Sequence, residues 1–216
     1  MVELEIEDII YILDKLKFAW VCIPKCASNS IASGINKVIY SLLSSNKNIR
    51  LYNNDSKKKL LDHPDYFKFV FVRNPYDRLV SCYCNRFSDK FYRGSYGIKS
   101  TNPEEFKAMG LYKAMSFNEF LSVVCEQDDD NSDRHWRSCN HSCFIDDKIL
   151  VDFVGKVENI NKGWKVVCEV MNWKYTELPQ LKTSERTHYR NYYTPTTQKL
   201  VEKRFEKDLD IFKYTY

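Results

Sequence analysis

The chain has 216 residues, with 33 Lys+Arg against 29 Asp+Glu and a formal charge of +4. A hydrophobic share of 44% at this length fits one globular domain, 1–216, with a real core, and excludes a disordered chain. Six Gly and six Pro exclude collagen-like and Gly-looped repeat proteins. The slight positive charge tolerates an anionic ligand without demanding nucleic acid.

No apolar run approaches the ~20 residues that span a bilayer, so no membrane segment is expected. The opening MVELEIEDII lacks a basic region and a small-residue cleavage site. It predicts no signal peptide, and cytoplasm is the default compartment. Eight cysteines are too sparse for a disulfide scaffold of this length.

Ile9, Ile10, Leu13 and Leu16 fall at helical spacing and predict a first helix over 5–16. Residues 17–23 (KFAWVCI) form a short, mostly apolar run closed by Pro24, which reads as a buried strand. Pro24–Ser30 is a polar loop. The next helix, 29–43, carries Ile31, Ile35, Val38, Ile39 and Leu42 on one face. Residues 44–59 lack periodicity and read as a loop. Residues 66–72 (YFKFVFV) are the strongest strand. Pro75 opens a helix continued by Leu79, Val80, Tyr83 and Phe87. Residues 88–104 read as loop, 117–125 as helix, 126–134 as acidic loop and 150–157 as a third strand. A helix bearing Trp164, Val167, Val170 and Met171 follows, and a last helix spans 197–209. Strands alternating with helices predict an α/β fold: a P-loop-like, mainly parallel sheet flanked by helices.

Two strand–loop–helix junctions carry the chemistry. The first reads Pro24-Lys25-Cys26-Ala27-Ser28-Asn29-Ser30. Backbone N–H groups and the helix dipole make such a junction an anion site. Lys25 adds a positive charge, and Ser28, Asn29 and Ser30 add donors. It lacks the two glycines of a Walker A loop, which disfavours an NTP cradle. The second reads Arg73-Asn74-Pro75-Tyr76-Asp77-Arg78-Leu79-Val80-Ser81. Arg73 leaves the carboxyl end of the strongest strand, where ligands bind in open α/β sheets. A guanidinium fork with the Ser81 hydroxyl suits a phosphate. Arg78 has a bland alternative, a surface pairing with Asp77 or Asp89.

Together these junctions resemble the sulfotransferases that use 3′-phosphoadenosine-5′-phosphosulfate (PAPS), in their Golgi-type carbohydrate branch. That family carries a strand–PK-x-A/G-S-x-S–helix element and a strand–R-x-P-x-x-R-L-V-S–helix element. Looser matches are His135-Trp136 followed by Cys139 and Cys143, then Phe153-Val154-Gly155-Lys156-Val157-Glu158, and Lys182-Thr183-Ser184-Glu185-Arg186. The resemblance runs from about residue 17 to the end. Family members usually carry an anchor and stem ahead of the first motif, which here would put the chain in the Golgi lumen.

The resemblance implies sulfuryl transfer from PAPS to an acceptor, without a metal. Lys25 would stabilise the bridging oxygen, and the N–H groups of Cys26, Ala27, Ser28, Asn29 and Ser30 would hold the 5′-phosphate. Arg73, Ser81, Ser184 and Arg186 would hold the 3′-phosphate. The implied partner is a carbohydrate, or else a small hydroxylated metabolite. A base must take the acceptor proton. His63, the only histidine between the two motifs, ranks first, then His135, with Glu158 and Asp62 behind.

Other readings stay open. His135, Cys139, His141 and Cys143 are dense in zinc ligands. Cys139 and Cys143 would be a disulfide by the family resemblance, or remain free thiols. Cys26 reads as a thiol activated by the helix start and Lys25. A kinase would need Mg²⁺ ligands that the strong strand, ending in Arg73, does not offer. A non-catalytic nucleotide- or glycan-binding module is the remaining class. Nucleic acid is disfavoured, because basic and aromatic residues do not interleave in a patch.

Overall fold

The structure is a computed structural model that describes residues 9–43, 51–53, 57–87, 103–181 and 186–216. In chain order its elements are β1 (Ile9–Leu13), β2 (Phe18–Cys22), α1 (Ser28–Leu43), β3 (Leu51–Asn53), β4 (Phe67–Val72), α2 (Pro75–Arg86) and α3 (Pro103–Ala108). They continue as α4 (Phe117–Glu126), α5 (Cys139–Cys143), β5 (Phe144–Ile145), β6 (Lys148–Ile149), β7 (Phe153–Lys156), α6 (Ile160–Val170), α7 (Pro195–Arg204) and α8 (Glu206–Ile211). Short 3-10 turns join several of them. None of the described helices is long and apolar enough to cross a membrane. The chain forms two compact units: Met1–Arg73 with Cys139–Thr183, and Asn74–Ser138 with Ser184–Tyr216.

The first unit is built on a five-stranded sheet of order β3-β1-β2-β4-β7. β2, β4 and β7 run parallel, with Val21 opposite Val70 and Val72 opposite Lys156. This is the expected α/β sheet, flanked by α1 and α6. Two antiparallel strands extend it on the β2 side. β1 corrects the helix expected over 5–16. Ile9–Leu13 pairs residue for residue with Cys22–Phe18. The run Ile-Ile-Tyr-Ile-Leu is continuously apolar and rich in β-branched residues, so it serves as a strand covered on both faces. Leu16 falls in the turn, and Lys17 closes it with a left-handed φ of 50°. β3 likewise stands inside the expected 44–59 loop; 44–50 and 54–56 lie outside the described residues, as do 88–102.

Alternation along the strands sends Phe18, Trp20, Cys22, Phe69 and Phe71 to one face. There they pack on Ile31, Ile35, Val38 and Ile39 of α1 and on Trp164 and Val167 of α6. Gly155 and Gly163 make room for the Phe71 ring. A Cβ on Gly155 would lie 2.4 Å from a Phe71 ring carbon, and one on Gly163 2.9 Å away. That close approach seats α6 over the carboxyl half of β4 and β7.

The second unit has an aromatic core. Tyr76, Leu79, Val80 and Phe87 meet Phe117, Phe120, Leu121 and Val124 of α4, with Trp136, Val201 and Phe205. Asn74 caps α2, its Oδ1 accepting from Tyr76 N at 3.1 Å, and Pro75 sits in the first turn. The helix expected over 197–209 starts earlier, at Pro195, capped by Thr194 and Thr197. It breaks at buried Phe205 and resumes as α8.

Candidate active site

The carboxyl ends of the parallel strands β2, β4 and β7 form one rim of the first unit. After β2 the chain makes a tight loop into α1. Lys25 and Ala27 both take left-handed conformations, with φ of 67° and 59°. For residues with a Cβ this stores about 1–3 kcal/mol each, a strain that concentrates at functional loops. The loop is closed from within. Cys26 N donates to Ile23 O at 3.3 Å, Ser28 Oγ to Ile23 O at 3.1 Å, and Ser30 N to Ala27 O at 3.0 Å. These bonds use the N–H groups of Cys26 and Ser30, so the expected five-amide cradle contracts to Ala27, Ser28 and Asn29. Among these, Ser28 and Asn29 begin a helix, where N–H groups lack intrahelical acceptors.

The side chains divide accordingly. Cys26 is 1% exposed, which removes it from the role of an accessible thiol. Ser30 is buried, and its Oγ accepts from Leu181 N at 3.4 Å. Lys25, Ala27 and Ser28 are half-buried and Asn29 is exposed.

After β4, Arg73 reaches back to this loop, and its Nη1 donates to Lys25 O at 3.0 Å. Arg73, the first residue of the second motif, therefore meets the first motif within one unit. After β7, a 3-10 turn, Val157–Asn159, places exposed Glu158 on the same rim.

The remaining 3′-phosphate candidates belong to the second unit. Ser81 is half-buried on α2. Arg186 donates from Nη2 to Asp77 Oδ1, in the first turn of α2. Ser184 lies outside the described residues.

Both favoured histidines are elsewhere. His63 stacks on Tyr66, with ring centroids 4.5 Å apart, just before β4 begins. Its neighbours bind the amino ends of the strands: Tyr66 OH donates to Asp14 at 2.9 Å and Lys17 Nζ to Asp65 at 2.8 Å. β4 has 6 residues. At about 3.3 Å per residue it puts roughly 20 Å between His63 and the rim at Arg73. Position between two motifs in sequence did not mean proximity, because β4 itself separates them. Asp62 shares that end. His63→Ala is expected to leave kcat within about threefold of wild type, against the 10²–10⁴-fold loss of a missing base; steady-state turnover checks it.

His135 is sealed into the second unit, its side chain 15% exposed. Nδ1 lies 2.6 Å from Asp133 Oδ1 and Nε2 2.7 Å from Arg86 Nη2. A guanidinium only donates, so Nε2 is the acceptor and Nδ1 carries the proton. The lone pair a base would use is engaged. Burial alone would raise the Asp133 carboxyl, but its hydrogen bonds with His135 and the charge of Arg86 outweigh it and hold it at about 2. The zinc alternative loses the same ligand. Cys139 and Cys143 are buried one helical turn apart on α5, and none of the eight cysteines is in a disulfide. Among the described residues no three His, Cys, Asp or Glu side chains gather as a metal site.

A model of the sulfotransferase family matches residues 8–215. The chain belongs to the sulfotransferase family. Carbohydrate sulfotransferase 14 of Mus musculus is 27% identical over 173 residues, covering 74% of this chain and 46% of the relative. Carbohydrate sulfotransferase 11 of Mus musculus is 31% identical over 136 residues, 56% of this chain and 38% of the relative. Carbohydrate sulfotransferase 9 of Homo sapiens is 26% identical over 235 residues, 95% of this chain and 53% of the relative. The chain thus spans about half the length of these relatives. No solved structure matches.

In this chain the second motif does more than present Arg73. Arg78, for which a surface pairing was the bland alternative, is 2% exposed and donates from Nη2 to Arg134 O at 2.9 Å and from Nη1 to Arg137 O. Asp77 holds Arg186. Asn74 donates from Nδ2 to Thr215 O at 2.9 Å. Each partner is distant in sequence, so no local pattern pointed to it.

Proposed function

We propose that this chain transfers a sulfuryl group from PAPS to a hydroxyl of a carbohydrate. The observation that carries the reading is the Arg73–Lys25 hydrogen bond, which joins the two motifs at the carboxyl ends of β2 and β4. The relatives, named as carbohydrate sulfotransferases, support the acceptor class. The resemblance to Golgi-type enzymes puts the lumen ahead of the cytosol as the working compartment.

PAPS, when bound, supplies the activated sulfuryl group. The residues fit such a ligand: a strained, glycine-free loop offers the amides of Ala27, Ser28 and Asn29 beside the Lys25 charge, which suits a 5′-phosphosulfate. Arg73 fixes the loop through the Lys25 carbonyl, and its planar guanidinium suits a phosphate. By the family resemblance, Ser81, Ser184 and Arg186 are further proposed ligands of the 3′-phosphate. Lys25 meets the charge that develops on the leaving oxygen, so no metal is required. Glu158 is the carboxylate that the strand ends place on this rim, and we assign it the acceptor's proton.

A thermal-shift titration tests the reading, with adenosine 3′,5′-bisphosphate beside ATP–Mg²⁺ and 5′-AMP. At about 100 times Kd the bisphosphate adds ~2.7 kcal/mol, and Tm rises by roughly 5–10 °C at this size. The rise should be lost in Arg73→Ala and absent with ATP–Mg²⁺. No rise, or a preference for ATP–Mg²⁺, overturns the cofactor. Turnover with glycans but not with small phenols separates the acceptor classes.

A further inference from the structure

We infer that Asp77 is a positioning residue for the 3′-phosphate, acting through Arg186. The inference rests on Arg186 being a ligand of that phosphate. Asp77 and Arg186 stand 109 residues apart in sequence, yet Arg186 Nη2 donates to Asp77 Oδ1. Their side chains are 20% and 11% exposed, so the pair is largely shielded from the water that weakens surface ion pairs.

The Asp77 anchor is itself fixed. It sits in the first turn of α2, and the segment 186–216 binds that turn at neighbouring points. Asn74 Nδ2 donates to Thr215 O at 2.9 Å, and Tyr193 OH donates to Tyr76 O at 2.9 Å. Tyr193 and Tyr216 both pack edge-on against the Tyr76 ring, at 5.3 and 4.9 Å. Arginine has many rotamers and five N–H donors in one plane. A carboxylate on one Nη2 hydrogen sets the plane and leaves the rest of the fork for an anion. Asp77 therefore lowers the ordering cost of Arg186 before any nucleotide arrives.

The test compares adenosine 3′,5′-bisphosphate with 5′-AMP, which differ only in the 3′-phosphate, by calorimetry on the full chain. The readout is the ratio of the two Kd values. Asp77→Ala should reduce the ratio at least ~10-fold, the size expected when a charge-assisted bond to a phosphate loses its geometry. The 5′-AMP affinity should hold, and Asp77→Glu should recover most of the ratio. Asp77→Ala/Arg186→Ala should match Arg186→Ala alone. A structural role for Asp77 would weaken both nucleotides together, which overturns the inference. So does a ratio that stays or rises in Asp77→Ala while Arg186→Ala lowers it; a rise would make Asp77 a competitor of the phosphate. If Arg186→Ala itself leaves the ratio intact, Arg186 is not a ligand and the inference falls, while the Arg73 reading stands. If the wild type shows no preference for the bisphosphate, the cofactor reading falls first.

Discussion

Lys25→Ala is expected to lower kcat at least ~100-fold while affinity for adenosine 3′,5′-bisphosphate falls less than ~10-fold. The split follows from where Lys25 sits. Its backbone holds the loop: φ is 67°, and its carbonyl accepts from Arg73. Alanine has the same Cβ and the same strain at that φ, so the substitution removes the ammonium and leaves the loop in place. A preorganised positive donor matters most where charge develops, on the oxygen that leaves with the nucleotide. Loss of one such donor costs about 10²–10³ in rate. The bisphosphate product lacks the sulfuryl group, so its binding reports the ground state. Steady-state turnover at saturating acceptor, beside calorimetry with the bisphosphate, reads the two terms separately. An unchanged kcat removes Lys25 from the chemistry. An equal loss in binding and turnover makes it a ground-state ligand only.

The same loop shows how far sequence reasoning reached. β2 and β4 were legible because each is a short apolar run closed by a breaker or an arginine, and α1 and α2 because apolar residues recur on one face. β1 was misread because Ile9, Ile10 and Leu13 satisfy helical spacing as well as continuous burial, and only the partner strand decides. β3 was missed because a strand of 3 residues carries no period. In the candidate site, residue types in fixed order singled out Lys25 and Arg73 as candidates. Their bond through the Lys25 carbonyl was not readable, since any residue supplies a carbonyl. The histidines failed for a related reason. Candidate status came from residue type and order along the chain, whereas the role depends on strand direction for His63 and on an Asp–Arg clamp for His135.

The sharpest contrast lies within the second motif, between two arginines five positions apart. Arg78→Ala is expected to destabilise the ligand-free protein by about 3–5 kcal/mol, lowering Tm by roughly 6–20 °C at this size. Arg78 is 2% exposed, and its fork ties α2 to the backbone at Arg134 and Arg137. That stretch cannot easily find other donors. Trp136 between them is fully buried, and Arg137, 4% exposed, already donates from Nη2 to Ser132 O at 3.0 Å. Truncation would remove both bonds to these carbonyls, each loss at a buried acceptor costing about 1–3 kcal/mol, and would open the space filled by the side-chain stem. Arg78→Lys should recover little, because a point ammonium on a flexible stem does not bridge two carbonyls as a planar fork does. Arg73→Ala should behave in the opposite way. Arg73 is half-buried at the rim, so its loss should move the ligand-free Tm by less than about 3 °C, a loss near 1 kcal/mol, and abolish the rise with the bisphosphate. Thermal melts of both variants with and without the nucleotide distinguish the roles. An Arg78→Ala protein with a wild-type melt and no nucleotide response would make Arg78 a phosphate ligand and assign the buried carbonyls to water.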